Sequence, residues 1–188
     1  MNKIKLVFKG VSEIVGGDNL GLLVLTDGAE TRQLTIVCDK QMEYQFGLRM
    51  KKLPIVNRLL PEVLVEMIAT QTNIDFEVII HDICDGQYQA MIVNKDTLQT
   101  IAMRASDAIL LAYISEKPIY IEERLMMRQS VPYTAGTSGM TIPVNAISGD
   151  MLQLALDKAI EEENYELASH LHEELKRRKG NGDDSGEL

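Results

Sequence analysis

The chain has 188 residues, 45% hydrophobic and 25% charged, with a net charge of −9. That balance excludes a low-complexity or collagen-like chain and fits a globular protein long enough to bury a sizeable core. No apolar run approaches the roughly 20 residues of a membrane helix and no leader-like stretch follows the start, so the cytoplasm is the expected location.

The acidity is uneven. Residues 1–128 carry 14 Lys and Arg against 17 Asp and Glu, whereas residues 129–188 carry 5 against 11. Tight, non-specific duplex binding runs on Lys and Arg and is disfavoured, although the argument applies less to the near-neutral first part. Cys38 and Cys84 lie in strand-like apolar runs. Two cysteines make no framework, so buried free thiols are expected.

In chain order, Ile4, Leu6 and Phe8 alternate with lysines, the period of a half-exposed strand. Gly16-Gly17-Asp18-Asn19 is a turn signal, Leu20–Leu25 an apolar strand, Asp27-Gly28 a hairpin turn and Gln33–Cys38 a third strand. Asp39 can cap a helix running to about Lys52, with a basic end at Arg49, Lys51 and Lys52. Pro61 suits the first turn of a second helix. Phe76, Val78 and Ile80 alternate along a strand, Asp85-Gly86 turns the chain, and Tyr88, Ala90 and Ile92 resume the alternation. Leu98–Met103 reads as another strand. Met103–Ile121 then gives a polar turn, a helix capped by Ser106 or a neighbour, and the short buried strand Ile119–Ile121. Glu122–Arg128 starts a further short helix.

The character changes after Arg128. Tyr133–Thr141 reads YTAGTSGMT, a linker composition. Ser148 can cap a helix to about Glu163, and a second helix follows with Leu167, Leu171 and Leu175 at intervals of four. The expected organisation is an α+β domain over 1–128 with a mostly antiparallel or mixed sheet and packed helices, a linker over 129–147, a C-terminal helical hairpin over 148–179, and a disordered end over 180–188. A hairpin of that size is too small for a robust core and should dock on a partner or a copy of itself.

Phosphate-cradling glycine loops, dinucleotide fingerprints, zinc spacings and nucleophile elbows are missing from the sequence. His170 and His172 stand two apart on a helix and point to different sides. His81, beside Asp82, reads as a strand-end histidine before it reads as a base. Cleavage of a phosphodiester with a metal's help needs oxygen ligands converging on a hard ion. Asp82, Asp85 and Asp107 could supply them if the hairpin and the helix start meet. The bland alternatives are that Asp85 is a turn residue and Asp107 a first-turn carboxylate favoured by the helix dipole. Arg104 either pairs with Asp107 and fastens the turn or holds a phosphate with its planar fork.

The segment RASDAILLAYISEKPIYI resembles the signature of the bifunctional nuclease domain family, in which Arg-Pro-Ser-Asp-Ala-Ile leads into a helix and a Pro-Ile-Tyr-Val strand. Arg104, Ser106, Asp107, Ala108, Ile109, Pro118, Ile119 and Tyr120 match, while Ala105 replaces the proline. The hairpin carrying Asp82, Asp85-Gly86, Tyr88 and Ala90 is also similar. Glu62 and Val63 stand where the family has His and Asp, and Ala102 replaces an acidic residue. The resemblance implies an α+β domain, self-association and a nuclease able to act on RNA and DNA. On that basis the site is expected among Arg104, Ser106, Asp107, Asp82 and Glu62. The cofactor, if there is one, is a divalent metal such as Mg²⁺ or Mn²⁺ on Asp107 and Asp82, and single-stranded nucleic acid is the substrate.

The tail YELASHLHEELKR is similar to the UVR motif, a protein-docking helical hairpin, through Tyr165, Glu166, Ala168, Leu171 and Glu174. It implies a protein partner contacted by Tyr165, Leu167, Leu171 and Leu175. The pairing of the two modules makes a bacterial source expected. A non-catalytic oligomeric or stress-regulatory protein that keeps the nuclease-family fold stands as the alternative, and the lost His-Asp pair favours it.

Overall fold

A computed structural model describes residues 2–13, 20–133, 149–161 and 163–181. The strands are β1 (Lys3–Glu13), β2 (Leu20–Asp27), β3 (Arg32–Asp39), β4 (Phe76–Cys84), β5 (Gln87–Asn94), β6 (Thr100–Arg104), β7 (Ile119–Glu122) and β8 (Val131–Pro132). The helices are α1 (Lys40–Met50), α2 (Leu60–Gln71), α3 (Ala105–Ser115), α4 (Glu123–Gln129), α5 (Gly149–Glu161) and α6 (Tyr165–Asn181), with a 3₁₀ turn at Pro54–Arg58. Among the described residues this is an α+β protein with one mixed sheet of eight strands, in the order β6-β5-β4-β7-β1-β2-β3-β8.

Local sequence accounts for most of these elements. β1, β2 and β3 form the expected antiparallel meander. The Gly16–Asn19 turn signal lies outside the described residues. β4 and β5 pair across Asp85 and Gly86, whose φ values of 46° and 71° fit a two-residue turn with both central residues left-handed. Asp39 caps α1, its carboxylate accepting from the Met42 amide at 2.7 Å. Pro61 sits in the first turn of α2. Glu116, at φ 54°, ends α3 in the left-handed conformation before Lys117-Pro118. β7 then inserts between β1 and β4, antiparallel to the first and parallel to the second, a pairing that no local pattern announces.

α3 is the centre of the molecule. Ala105, Ser106, Ala108, Ile109, Leu110 and Ala112 are all buried, and the helix is apolar on most sides, as expected when neighbours surround it. The sheet wraps round it. Six strand spacings separate β6 from β3, about 29 Å across a flat sheet. Yet Arg104, at the end of β6, reaches Asp39, at the end of β3, at 3.3 Å. Irregularities between Phe8 and Gly10 in β1 and between Ile80 and Asp82 in β4 supply bends of the kind bulges produce. Phe8, Phe46 and Tyr113 stack at centroid separations of 4.8 to 6.0 Å, tying β1, α1 and α3 together.

Two features differ from the sequence reading. The expected cap from Ser106 or a neighbour is not made: Arg104 is the N-cap residue of α3, no side chain among the described residues caps it, and Ser106 lies buried inside the first turn. The chain also stays with the sheet past residue 128. Gln129 and Ser130 are buried, Arg32 donates to the Ser130 hydroxyl and carbonyl, both at 2.6 Å, and β8 pairs with β3.

α5 and α6 have a small cluster of their own: Leu152, Leu156, Ala159, Ala168, Leu171 and Leu175. Ser148 and residues 182–188 lie outside the described residues. No helix among the described residues is long and apolar enough to cross a membrane.

Candidate functional site

The site grows from the junction of β6 and α3. Arg104 leaves the strand extended (φ −62°, ψ 141°), and the helix begins at the next residue. Asp107 falls in the first turn, where the helix dipole favours a carboxylate. The spacing of three brings the two side chains together. Arg104 Nε donates to Asp107 Oδ2 at 2.5 Å and Nη2 to Oδ1 at 3.2 Å. Arg104 Nη1 donates to Asp39 Oδ2 at 3.3 Å. Asp39 meanwhile caps α1. One guanidinium therefore joins the N-termini of two helices. Hydrogen bonding from Arg104 to Asp107 and that carboxylate's charge, with Asp39 adding to it, raise the guanidinium pKa and keep it charged.

A guanidinium has five N–H groups. Three are engaged among the described residues, leaving one on Nη1 and one on Nη2. The Arg104 side chain is 67% exposed, so those groups face solvent. Beside it lies a cleft of about 310 Å³. Ile36, Cys38 and Asp39 line one wall; Gly86, Tyr88 and Ser106 line the other. Burial, with Asp39 and Glu43 adding negative charge, pushes the Cys38 thiol up to about 12. Cys38 is therefore an inert wall residue, and it is buried as expected; Cys84 is exposed. Tyr88 is 5% exposed, its hydroxyl has no hydrogen-bond partner among the described residues, and burial raises its pKa.

The other candidates stand elsewhere. Asp82 opposes Gln89, which opposes Arg104, so the three share one row across β4, β5 and β6. Two spacings, roughly 10 Å, separate Asp82 from Arg104 at the backbone, and the Asp82 carboxylate accepts from the Ile83 amide at 2.8 Å. Glu62 is not part of this cluster. It pairs with buried Arg49 in the last turn of α1, Arg49 Nε lying 2.7 Å from Oε1 and Nη2 donating to Oε2 at 2.8 Å. Asp39 and Arg49 are ten residues apart along α1, roughly 15 Å of helix. The structure thus brings Arg104, Ser106 and Asp107 together, sets Asp82 in the same row, and puts Glu62 at the far end of α1.

Asp39 is the residue that sequence reasoning missed. Its capping role was legible, but a partner 65 positions away leaves no local signal. Tyr88, read as a strand aromatic, is part of the core packed against α3. In the tail, Leu171 and Leu175 are buried in the small cluster, while Tyr165 is 69% and Ile160 52% exposed; the side chain of Leu167 lies outside the described residues.

No group of three or more His, Cys, Asp or Glu that could hold a metal occurs among the described residues. Asp107 accepts from Arg104 Nε and Nη2 and Asp39 from Nη1, so the guanidinium already occupies oxygens of both carboxylates. Mg²⁺ commonly takes one or two carboxylates and completes its shell with water and substrate phosphate. Asp107 and Asp39 could serve a site of that kind only once Arg104 releases their oxygens.

Comparison with curated proteins gives no match. Among protein families, the Bifunctional nuclease domain matches residues 23–134, from within β2 to just past β8. That span contains Asp39, Tyr88, Arg104 and Asp107 and more than half of the chain, so the protein belongs to the bifunctional nuclease domain family.

Proposed function

We propose that this protein cleaves phosphodiester bonds of single-stranded RNA or DNA at the Arg104–Asp107–Asp39 cluster. The observation that carries the reading is the two-carboxylate clasp on a solvent-facing Arg104 at the mouth of the cleft. The two remaining N–H groups of Arg104 and the uncapped first turn of α3 bind a phosphate. A phosphate that takes over the guanidinium frees oxygens of Asp107 and Asp39. Those carboxylates then orient a water whose oxygen attacks the phosphorus while one of them takes its proton; the P–O bond to the leaving sugar oxygen breaks, and that oxygen takes a proton from solvent, with Asp82 assisting from the same row. Mg²⁺ or Mn²⁺, when bound by Asp107 and Asp39, would supply Lewis acidity and a more acidic water. The test is cleavage of a single-stranded oligonucleotide with Mg²⁺, Mn²⁺ or Zn²⁺ supplied, in wild type, Asp107→Asn and Arg104→Ala.

A second reading, an oligomeric interaction protein, is favoured by α2. Its sequence LPEVLVEMIATQ is largely apolar, yet none of its residues is buried. Leu60 is 70% exposed, and Val63, Leu64 and Met67 lie beside it in the open. Such a face belongs against another protein surface, and a second copy of the chain is the proposed occupant. α5 and α6 act as a UVR-like docking hairpin, presenting Tyr165 and Ile160 to a protein partner. Self-association and docking are compatible with catalysis. They become the whole function only if cleavage is absent.

A further inference from the structure

Two exposed surfaces of the chain combine apolar side chains with charge of opposite sign. The first begins where α1 ends. Residues 49–60 read RMKKLPIVNRLL, with four cations and no acid. Arg49 is held by Glu62, but Lys51, Lys52 and Arg58 are exposed, and their side chains make no hydrogen bond or ion pair among the described residues. Leu53 and Ile55 stand exposed between them. The 3₁₀ turn runs straight into the open face of α2, where Leu60, Val63, Leu64 and Met67 recur at helical spacing. A cavity of about 530 Å³ opens in this surface, walled by Leu53, Pro54, Val56, Tyr113 and Ile114 with Lys52 beside them. The second surface is the turn joining α5 to α6. Residues 160–166 read IEEENYE, with four acids and no cation. Just past α5, Glu163 takes a left-handed φ of 56°, and the Asn164 amide donates to the Ala159 carbonyl at 2.8 Å, so Ile160 and Tyr165 flank one tight turn. Both are exposed, as are Glu161 and Glu163, and neither of these carboxylates has a partner among the described residues.

We propose that the α5–α6 turn of one copy docks on the basic and apolar surface of residues 51–67 of a second copy, with Tyr165 entering the cavity beside Lys52, and that the exchange is reciprocal. This rests on the reading of α2 as a self-association face and names what covers it. Charge is the argument for this occupant. Two α2 faces packed together would cover the apolar stripe and leave the acidic turn unanswered, whereas the hairpin brings Glu161 and Glu163 to Lys52 and Arg58. The apolar groups match as well. Tyrosine suits a cavity with apolar walls and an open mouth, because its ring is buried while its hydroxyl stays wet. The occupant is a second copy because within one chain both surfaces stand open, Tyr165 at 69% and Leu60 at 70% exposure. The hairpin's own cluster has only six buried side chains, so docking lends it a core it lacks. A reciprocal exchange is two-fold symmetric and closes at two chains.

The experiment is sedimentation of the full chain with two charge-reversed variants, Glu161→Lys with Glu163→Lys and Lys52→Glu with Arg58→Glu. All four positions are exposed, so the fold is kept. At a concentration where wild type is the dimer, each variant alone should be the monomer, its association weakened at least tenfold by facing like charges. An equimolar mixture of the two variants should restore the dimer, because one contact is then wild type and the other has both charges reversed. In wild type, carbodiimide coupling of light chains mixed with heavy-isotope chains should join Lys52 of one copy to Glu161 or Glu163 of the other. Mass spectrometry of the mixed-isotope peptides reads this without any variant. A hairpin variant that dimerises as well as wild type, a mixture that stays monomeric, or cross-links confined to one chain would overturn the inference. If Leu60→Lys with Val63→Lys still breaks that dimer, self-association through α2 stands without the hairpin. A monomeric wild type removes both.

Discussion

Arg104 and Asp39, 65 residues apart in the chain, meet at 3.3 Å and join the start of α3 to the start of α1. Each is also the N-cap residue of its helix. The contact closes the curled sheet over α3 at the point where the cleft opens. Both side chains are substantially exposed, so their Coulomb attraction adds little to stability. Their value is positional: the clasp holds Arg104 over the cleft and keeps two carboxylates beside it.

That division of roles can be separated by two substitutions of Asp39. Asp39→Asn keeps an oxygen for the Met42 amide and should stay within about 0.5 kcal/mol of wild type in urea unfolding. Asp39→Ala loses the cap and should cost about 1 kcal/mol. Both remove a charge facing Arg104, so both should bind inorganic phosphate more tightly than wild type. Weaker phosphate binding in Asp39→Asn would show that the carboxylate does more than clasp the guanidinium.

Glu62 gives a contrast. Removing it leaves the Arg49 guanidinium buried without its counter-charge, and Glu62→Ala should cost about 3 kcal/mol. Phosphate affinity at Arg104 should change little in the folded fraction, because the pair sits at the other end of α1. Near-normal stability together with lost phosphate binding would move Glu62 into the site.

The open face of α2 makes a prediction about assembly. Sedimentation at tens of micromolar should give wild type at twice the chain mass or more. Leu60→Lys with Val63→Lys should give the monomer, and since neither residue is buried the fold should survive. A monomeric wild type would remove self-association through α2.

The two cysteines should differ in reactivity. Thiolate is the reacting form, and Cys38 is both buried and held up at about 12. At pH 8, iodoacetamide should label exposed Cys84 and leave Cys38 untouched until the protein is unfolded. Peptide mapping by mass spectrometry reads this directly, and native labelling of Cys38 would mean that the cleft wall opens.

The meander, the β4–β5 hairpin and α3 were legible because each is written in local periodicity and turn chemistry, from Phe8 to Asp85-Gly86 to Lys117-Pro118. The Arg104–Asp107 pair was legible as one of two alternatives, since a spacing of three on a helix forces proximity. Asp39 was legible as a cap and not as a site residue, because its partner arrives through the curl of the whole sheet. The alignment of Glu62 with a family position that carries His gave no hint of its pairing with Arg49 on a neighbouring helix. The exposure of α2 was equally hidden: an apolar helix reads as a core helix until the structure shows which face has neighbours.

The central claim is that the Arg104–Asp107–Asp39 cluster cleaves nucleic acid, and one assay addresses it most directly. Purified wild type and Asp107→Asn are incubated with a labelled single-stranded oligonucleotide, with Mg²⁺, Mn²⁺ and Zn²⁺ each supplied in turn. The account predicts cleavage by wild type and a loss of at least a hundredfold in the variant, in line with removal of a general base. Equal rates in the two proteins, or no cleavage by wild type with any of the metals, would contradict it.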